Sequence, residues 1–190
     1  MRIPSLENER VKLTLLDLSN YKHLSEIAQQ VNLVQYSPSK IDTVDDLKAY
    51  VQNAVECYYQ KTAMPFIIFD KQTKMYAGCT RFMNINWNYK VLEIGSTWIG
   101  REFQGTGLNL NMKYLMLEYA FDVMNFEKVE FRIDERNIRS RKAVEKIGGS
   151  LEGVLRKNVY LLDGFKRNTC CYGILREEWG VIKNEVLNKK

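Results

Sequence analysis

Trp98-Ile-Gly-Arg-Glu-Phe-Gln-Gly-Thr-Gly-Leu-Asn109 is the stretch on which the reading of this chain turns. Before it, residues 91–99 have the composition of a strand. After it, Leu108, Met112, Leu115, Met116, Tyr119, Ala120 and Val123 recur at helical spacing. A glycine-rich turn from strand to helix predicts backbone amides facing outward at the positive end of a long helix, an arrangement suited to phosphate oxygens. Two familiar phosphate loops do not fit. No Lys-Ser or Lys-Thr follows the glycines as a Walker loop requires, and Gly105-Thr-Gly107-Leu-Asn-Leu110 lacks the third glycine of the dinucleotide fingerprint.

Upstream, residues 11–16 read as a first strand, and Ser19 is placed to cap a helix over 20–30. Thr43, followed by Asp45 and Asp46, predicts the capped start of a second helix reaching about residue 60. Residues 66–69, 76–85 and 91–99 then predict an antiparallel meander, with the polar residues 70–74 as its first connection. The long helix carries a second apolar stripe, Leu110, Tyr114, Leu117, Phe121 and Met124, so most of its circumference is expected to be covered.

Downstream, residues 128–133 read as a strand, and Asn137 caps a helix with Ser140, Ala143, Val144 and Ile147 inward and Gly148-Gly149 closing it. Residues 151–161 and 169–175 flank the hairpin signal Asp163-Gly164, with Tyr160 expected in the core and a frayed, charged tail after Trp179. The order β-α-α-β-β-β-α-β-α-β-β predicts an α/β fold with one mixed sheet, a single domain over residues 1–190.

Composition narrows the chemistry. Twenty-eight Lys and Arg against 23 Asp and Glu leave a net charge of +5, enough to favour an anionic small molecule and too little for a dedicated nucleic-acid binder. The basic, aromatic residues Arg156, Lys157, Tyr160, Phe165, Lys166 and Arg167 are read as one side of an amphipathic hairpin. His23 is the only histidine, which excludes a two-histidine zinc site and a histidine-based hydrolase triad, so no metal is expected. Cys57, Cys79, Cys170 and Cys171 lack CxxC spacing and are expected to be reduced. No secretory apolar region opens the sequence and no apolar run is long enough to cross a bilayer, so a cytoplasmic protein without membrane contact is expected.

Gln104-Gly-Thr-Gly107-Leu-Asn109, together with Asn137-Ile-Arg-Ser140 and the element order, resembles the GNAT superfamily of acetyl-CoA-dependent N-acetyltransferases. The pyrophosphate loop of that family reads Gln or Arg, x, x, Gly, x, then Gly or Ala, and Asn109 departs from it. Glu93-Ile-Gly-Ser96, Phe103 through Asn109, and Leu151-Glu-Gly-Val-Leu-Arg156 are most similar to the Rim-type branch, which includes ribosomal-protein N-terminal acetyltransferases. The resemblance implies acetyl-CoA as cosubstrate. Backbone groups of Thr97, Trp98 and Ile99 would hold the pantetheine, and Gln104, Gly105, Thr106, Gly107, Leu108 and Asn109 the pyrophosphate. Asn109 either crowds a diphosphate oxygen or donates to it, and Asn137 joins the helix cap to a bond with the cofactor arm. Arg139, Arg141 and Lys142 read as a solvated face from which one cation could reach the 3′-phosphate. The same branch suggests a homodimer.

The implied reaction is attack of a primary amine on a thioester. An α-amine of pKa about 7.8 costs ~1 kcal/mol to deprotonate at pH 7, whereas a lysine at about 10.4 costs ~4.6 kcal/mol, so a protein or peptide N-terminus is the easier acceptor. Glu93 is the candidate base through water: strand alternation groups it with Gly95 and Thr97, opposite Leu92, Ile94 and Trp98. The tyrosine acid that many family members carry seven residues after the motif asparagine is Val144 here, and Ser140 is the candidate orienting group for the sulfur. A small-molecule amine as acceptor and a catalytically idle coenzyme A-binding module remain as alternatives.

Overall fold

The computed structural model describes residues 4–187. Eight strands form one sheet in the order β1-β2-β3-β4-β5-β6-β8-β7. They are β1 (Leu6–Glu7), β2 (Val11–Leu15), β3 (Met64–Asp70), β4 (Met75–Asn86), β5 (Val91–Ile99), β6 (Lys128–Asp134), β7 (Ser150–Tyr160) and β8 (Lys166–Leu175). Every neighbouring pair is antiparallel except β5 and β6. The helices are α1 (Ser25–Ala28), α2 (Val44–Tyr59), α3 (Leu108–Glu118), α4 (Ile138–Glu145) and α5 (Arg176–Leu187).

Alternation along β4 assigns the helices to two faces. Arg81 lies over the ring of Tyr50 in α2 and Cys79 meets the same hydroxyl, whereas Thr80 reaches Met116 of α3 and Phe82 stacks on Tyr119 just beyond it. The α1–α2 pair therefore covers one face and α3 the other. Leu110, Tyr114, Leu117, Ile147, Trp179 and Ile182 line a groove where α3, the end of α4 and α5 meet, which puts all three on the second face. Covering on both sides explains why Phe66, Ile67 and Ile68 of β3 are buried in succession.

The local signals behave as their chemistry requires. Thr43 Oγ1 accepts from the Asp46 amide at 3.1 Å, and Asn137 Oδ1 accepts from the Ser140 amide at 3.1 Å. Helix α3 buries Leu108, Met112, Met116 and Leu117, as the doubled stripe predicts.

Four expectations are corrected. The early helix is split into a 3-10 turn over Tyr21–Leu24 and the single α-turn of α1. Ser19 does not cap it, because its amide and hydroxyl both bond Asp17 Oδ1. The chain after Trp179 continues in α5, held by Trp179, whose indole donates to Asp122 at 3.0 Å between the rings of Tyr114 and Phe121. Tyr160 is exposed under Lys166 and is no core residue. A short β1, pairing with β2, was not anticipated.

Candidate active site

Strands β5 and β6 pair only where Val91, Leu92 and Glu93 face Lys128, Val129 and Glu130. Beyond Glu93 they part, and the β6-facing edge of β5 from Ile94 onward is left without a strand partner inside the sheet. The fork so formed ends, on the β5 side, at the glycine-rich turn.

Within the fork, β5 carries a bulge. Arg81 pairs with Gly95 and Cys79 with Trp98, so Ser96 and Thr97 together stand opposite Thr80. Ser96 takes φ +47°, an unusual conformation for a serine, and its carbonyl accepts the Tyr50 hydroxyl at 3.2 Å. The extra residue reverses the alternation. Glu93 and Gly95 lie on the α1–α2 face and Leu92 and Ile94 opposite, as expected, but Thr97 and Trp98 exchange places. Thr97 bonds Thr80 at 2.8 Å on the α3 face, and Trp98 packs near Tyr50 on the α2 face.

Glu93 is 6% exposed. Asn84 Nδ2 donates to its Oε2 at 2.8 Å and the Arg132 guanidinium lies 3.7 Å away. Burial pushes its carboxyl above the ordinary range, opposed by those two neighbours. Gly95 beside it is constrained: a Cβ there would come within 2.8 Å of Met83 Sδ and 3.0 Å of Glu93 Oε1.

The turn itself is open. Gly105 and Gly107 take φ +79° and +86°, and a Cβ on either would meet nothing within 4 Å. Among the described residues, the amides of Gly105, Thr106, Gly107, Asn109 and Leu110 have no protein acceptor, and no acidic residue occupies the first turn of α3. Leu108 is fully buried and anchors that turn, with its amide 3.5 Å from Thr106 Oγ1. Thr106 in turn donates to the Phe103 carbonyl at 2.7 Å and accepts from Arg10 at 3.2 Å. Gln104 staples the turn, donating to the Ile99 carbonyl at 2.8 Å while its own carbonyl accepts from Arg139.

A family model described as an acetyltransferase (GNAT) domain matches residues 10–150. The chain belongs to the GNAT acetyltransferase family. Among its relatives, "Putative ribosomal N-acetyltransferase YdaF" of Bacillus subtilis (strain 168) is 29% identical over 102 residues, 54% of this chain and 55% of the relative. Spermidine N(1)-acetyltransferase of Escherichia coli (strain K12) is 28% identical over 103 residues, 54% of each chain. Both matches span about half of either protein. A crystal structure described as a "putative acetyltransferase" from T. thermophilus superposes with a TM-score of 0.87 at 29% identity, covering 100% of this chain and 98% of that one.

The GNAT turn fits a diphosphate on this structure's own terms. Five free amides, a helix dipole and two glycines that leave the approach clear form the site, with Arg139 alongside and Arg10 shared between Thr106 and the buried carboxylate of Asp70. Arg139 and Lys142 are exposed, as the sequence suggests, with Arg139 reaching Gln104, while Arg141 is half-buried and held by Tyr172 and the Glu135 carbonyl. Asn137 serves as a cap, and Ser140 is half-buried beside it. Since α4 lies on the α3 face, Ser140 and Glu93 stand on opposite faces of the sheet. Val144 packs in the core.

Three groups in this GNAT site escaped the sequence reading: Asn84, Arg132 and Lys113. Asn84 stands across the β4–β5 hairpin, where its contact depends on register, and Arg132 comes from β6, a strand distant in sequence. Lys113 had a visible signal, being a charged residue inside a helix whose stripes leave almost no solvent face.

Among the described residues no cluster of His, Cys, Asp or Glu is able to hold a metal, no helix is long and apolar enough to cross a membrane, and the four cysteines are free.

Proposed function

We propose that the protein transfers the acetyl group of acetyl-CoA to a primary amine, foremost the α-amine of a protein or peptide N-terminus. The observation that carries this reading is the fork, in which a free strand edge leads from an amide-lined anion site to a buried carboxyl on the other face.

The residues divide the work. Amides of Gly105, Thr106, Gly107 and Asn109 take the diphosphate, with Gln104 fixing the turn and Leu108 anchoring it. The open edge at Thr97, Trp98 and Ile99 takes the pantetheine amides. Bound acetyl-CoA supplies an activated carbonyl carbon. Glu93 accepts, through water, the proton of the incoming ammonium, and its raised pKa makes it a stronger base than a solvated carboxylate. Ser140 and Asn137, on the carrier side, orient the cofactor arm.

For the acceptor, the ribosomal name of one relative supports a protein N-terminus, and so does the ~3.5 kcal/mol lower cost of freeing an α-amine than a lysine amine. A polyamine acceptor is supported by the name of the other. Against it stands the charge balance on the α1–α2 face: Arg132 sits among Glu93 and Glu130, Arg136 pairs with Asp134 at 2.8 Å, and Arg167 exerts its charge on Glu93 and Asp134, so the carboxylates of this wall are matched by cations. Val144, where a phenol would stand, supports the idle coenzyme A-binding module as a further alternative.

Radiolabelled acetyl transfer to peptides with free N-termini, to spermidine and to no acceptor tests the proposal. Label on the peptide α-amine is expected at a kcat/KM above that for spermidine. Faster transfer to spermidine would move the acceptor to polyamines, and no turnover beyond hydrolysis would favour the idle module.

A further inference from the structure

Lys113, in the second turn of α3, is 7% exposed. Its Nζ donates to Thr97 Oγ1 at 3.1 Å and lies 5.4 Å from the centre of the Phe131 ring. Thr97 belongs to β5 just past the bulge, and Phe131 is the first residue of β6 beyond the last paired one, Glu130. The ammonium therefore spans the two strands where they part. Among the described residues it makes no ion pair. A lysine normally bends its stem so that the charge reaches water, and a buried cation with one neutral partner is costly where methionine would pack at less expense.

The fork is thus flanked by charge on both faces. Glu93 of β5, with Glu130 and Arg132 of β6 and Arg167 of β8 around it, occupies the α1–α2 side. Lys113 alone occupies the α3 side, among Thr80, Thr97, Met116 and Phe131, with Glu93 the one charge acting on it. That second side also holds the start of α3, Asn137 and Ser140, the groups assigned to the carrier. The phenol many family members carry is replaced by Val144, and the Tyr172 hydroxyl is taken by Glu145 at 2.8 Å and Arg141 at 3.0 Å.

We propose that Lys113 gives the leaving sulfur of coenzyme A its proton, an inference that rests on the acyl-transfer reading above. The acceptor nitrogen's lone pair forms the C–N bond to the thioester carbonyl carbon. The C–S bond breaks with its electron pair on sulfur, and a Lys113 N–H proton passes to that sulfur. The proton lost by the acceptor goes through water to Glu93, and Lys113 recovers one from solvent as Glu93 releases its own, so none is consumed. Burial brings the Lys113 ammonium down to about 7, so transfer to a thiolate of pKa about 8.5 runs downhill, where an ordinary lysine at about 10.4 would be uphill.

The test follows kcat against pH with acetyl-CoA and a peptide acceptor in wild-type protein and in Lys113→Met, with free coenzyme A as the binding probe. Calorimetry with the same compound establishes saturation in each. Only the ammonium form of Lys113 has a proton to give, so the wild-type kcat is expected to fall as pH rises above about 7, and Lys113→Met is expected to lack that falling limb. With a peptide acceptor, the variant is expected to lose about a hundredfold in kcat while KM for acetyl-CoA stays within about threefold. Identical pH profiles of kcat in two proteins that both bind coenzyme A would overturn the role of Lys113 and leave the acyl-transfer reading standing. Absence of binding by the wild type would overturn both. Should the variant fail to fold, the wild type decides alone, since a wild-type kcat that does not fall between about pH 7 and 9 contradicts the proposal.

Discussion

Glu93 and Thr97, four residues apart on one strand, face opposite sides of the sheet because Ser96 is an extra residue between them. Simple alternation would have put both on the α1–α2 side. The bulge instead points Thr97 at Lys113 and frees the α1–α2 side for the carboxyl and whatever approaches it. A buried carboxyl and a buried cation are thereby divided between the two faces of the fork.

Replacing Glu93 by Gln is expected to lower kcat by about a hundredfold without weakening acetyl-CoA binding. It also has a consequence for stability. The folded carboxyl titrates above its unfolded value, so the stability it contributes is full below the unfolded pKa and is lost as pH rises through the folded one. Glutamine is neutral throughout, so E93Q is expected to be the more stable protein at neutral pH and to lose that advantage in acid. Urea denaturation of both across that range measures it; a variant less stable at pH 7 would contradict the assignment.

Lys113 shifts the opposite way. With the folded ammonium near 7 and an unfolded lysine at about 10.4, the unfolded chain holds more protons between those values, so stability rises with pH across that window. The rise attributable to Lys113 is on the order of a few kcal/mol and is expected to vanish in Lys113→Met, which should be the more stable protein at pH 7. Parallel pH–stability curves for the two would show that the charge is not buried as described.

Gly107→Asp is expected to abolish stabilisation by acetyl-CoA. In the wild type, ligand at a hundred times its dissociation constant should add ~2.7 kcal/mol. The variant puts a carboxylate at the start of α3, where the helix dipole and free amides invite an anion. A melting temperature that still rises with acetyl-CoA in the variant would displace the diphosphate from this turn.

Trp179→Ala tests α5. The indole is buried between Tyr114 and Phe121 and bonded to Asp122, so its loss is expected to cost about 3–5 kcal/mol in chemical denaturation. A change below about 1 kcal/mol would restore the frayed tail expected from sequence.

How far the sequence spoke depended on how local each signal was. Thr43 and Asn137 were legible as caps because a cap bond spans three residues. Gly105 and Gly107 were legible because the turn needs positive φ, which glycine alone adopts freely. The bulge at Ser96 left no such mark, since a serine is held there by Tyr50 from a helix nearly fifty residues away. The end of the chain misled because its inward residues, such as Trp179 and Ile182, are sparse among charges, and Trp179 is buried only against α3 and its continuation. Asn84 faces Glu93 across one hairpin, where the expected meander gave the strands but not their register, and Arg132 reaches it from β6 through a parallel pairing that no single segment encodes.

The anion site opening α3 is the foundation of the functional account, and calorimetry with two ligands tests it most directly: acetyl-CoA, and acetyl-pantetheine, which has the same thioester arm without the diphosphate. The account predicts one acetyl-CoA bound per chain and an affinity for acetyl-pantetheine at least about a hundredfold weaker, the loss of nearly 3 kcal/mol of charge-assisted hydrogen bonds. Equal affinities, or no heat from acetyl-CoA at several temperatures, would contradict it.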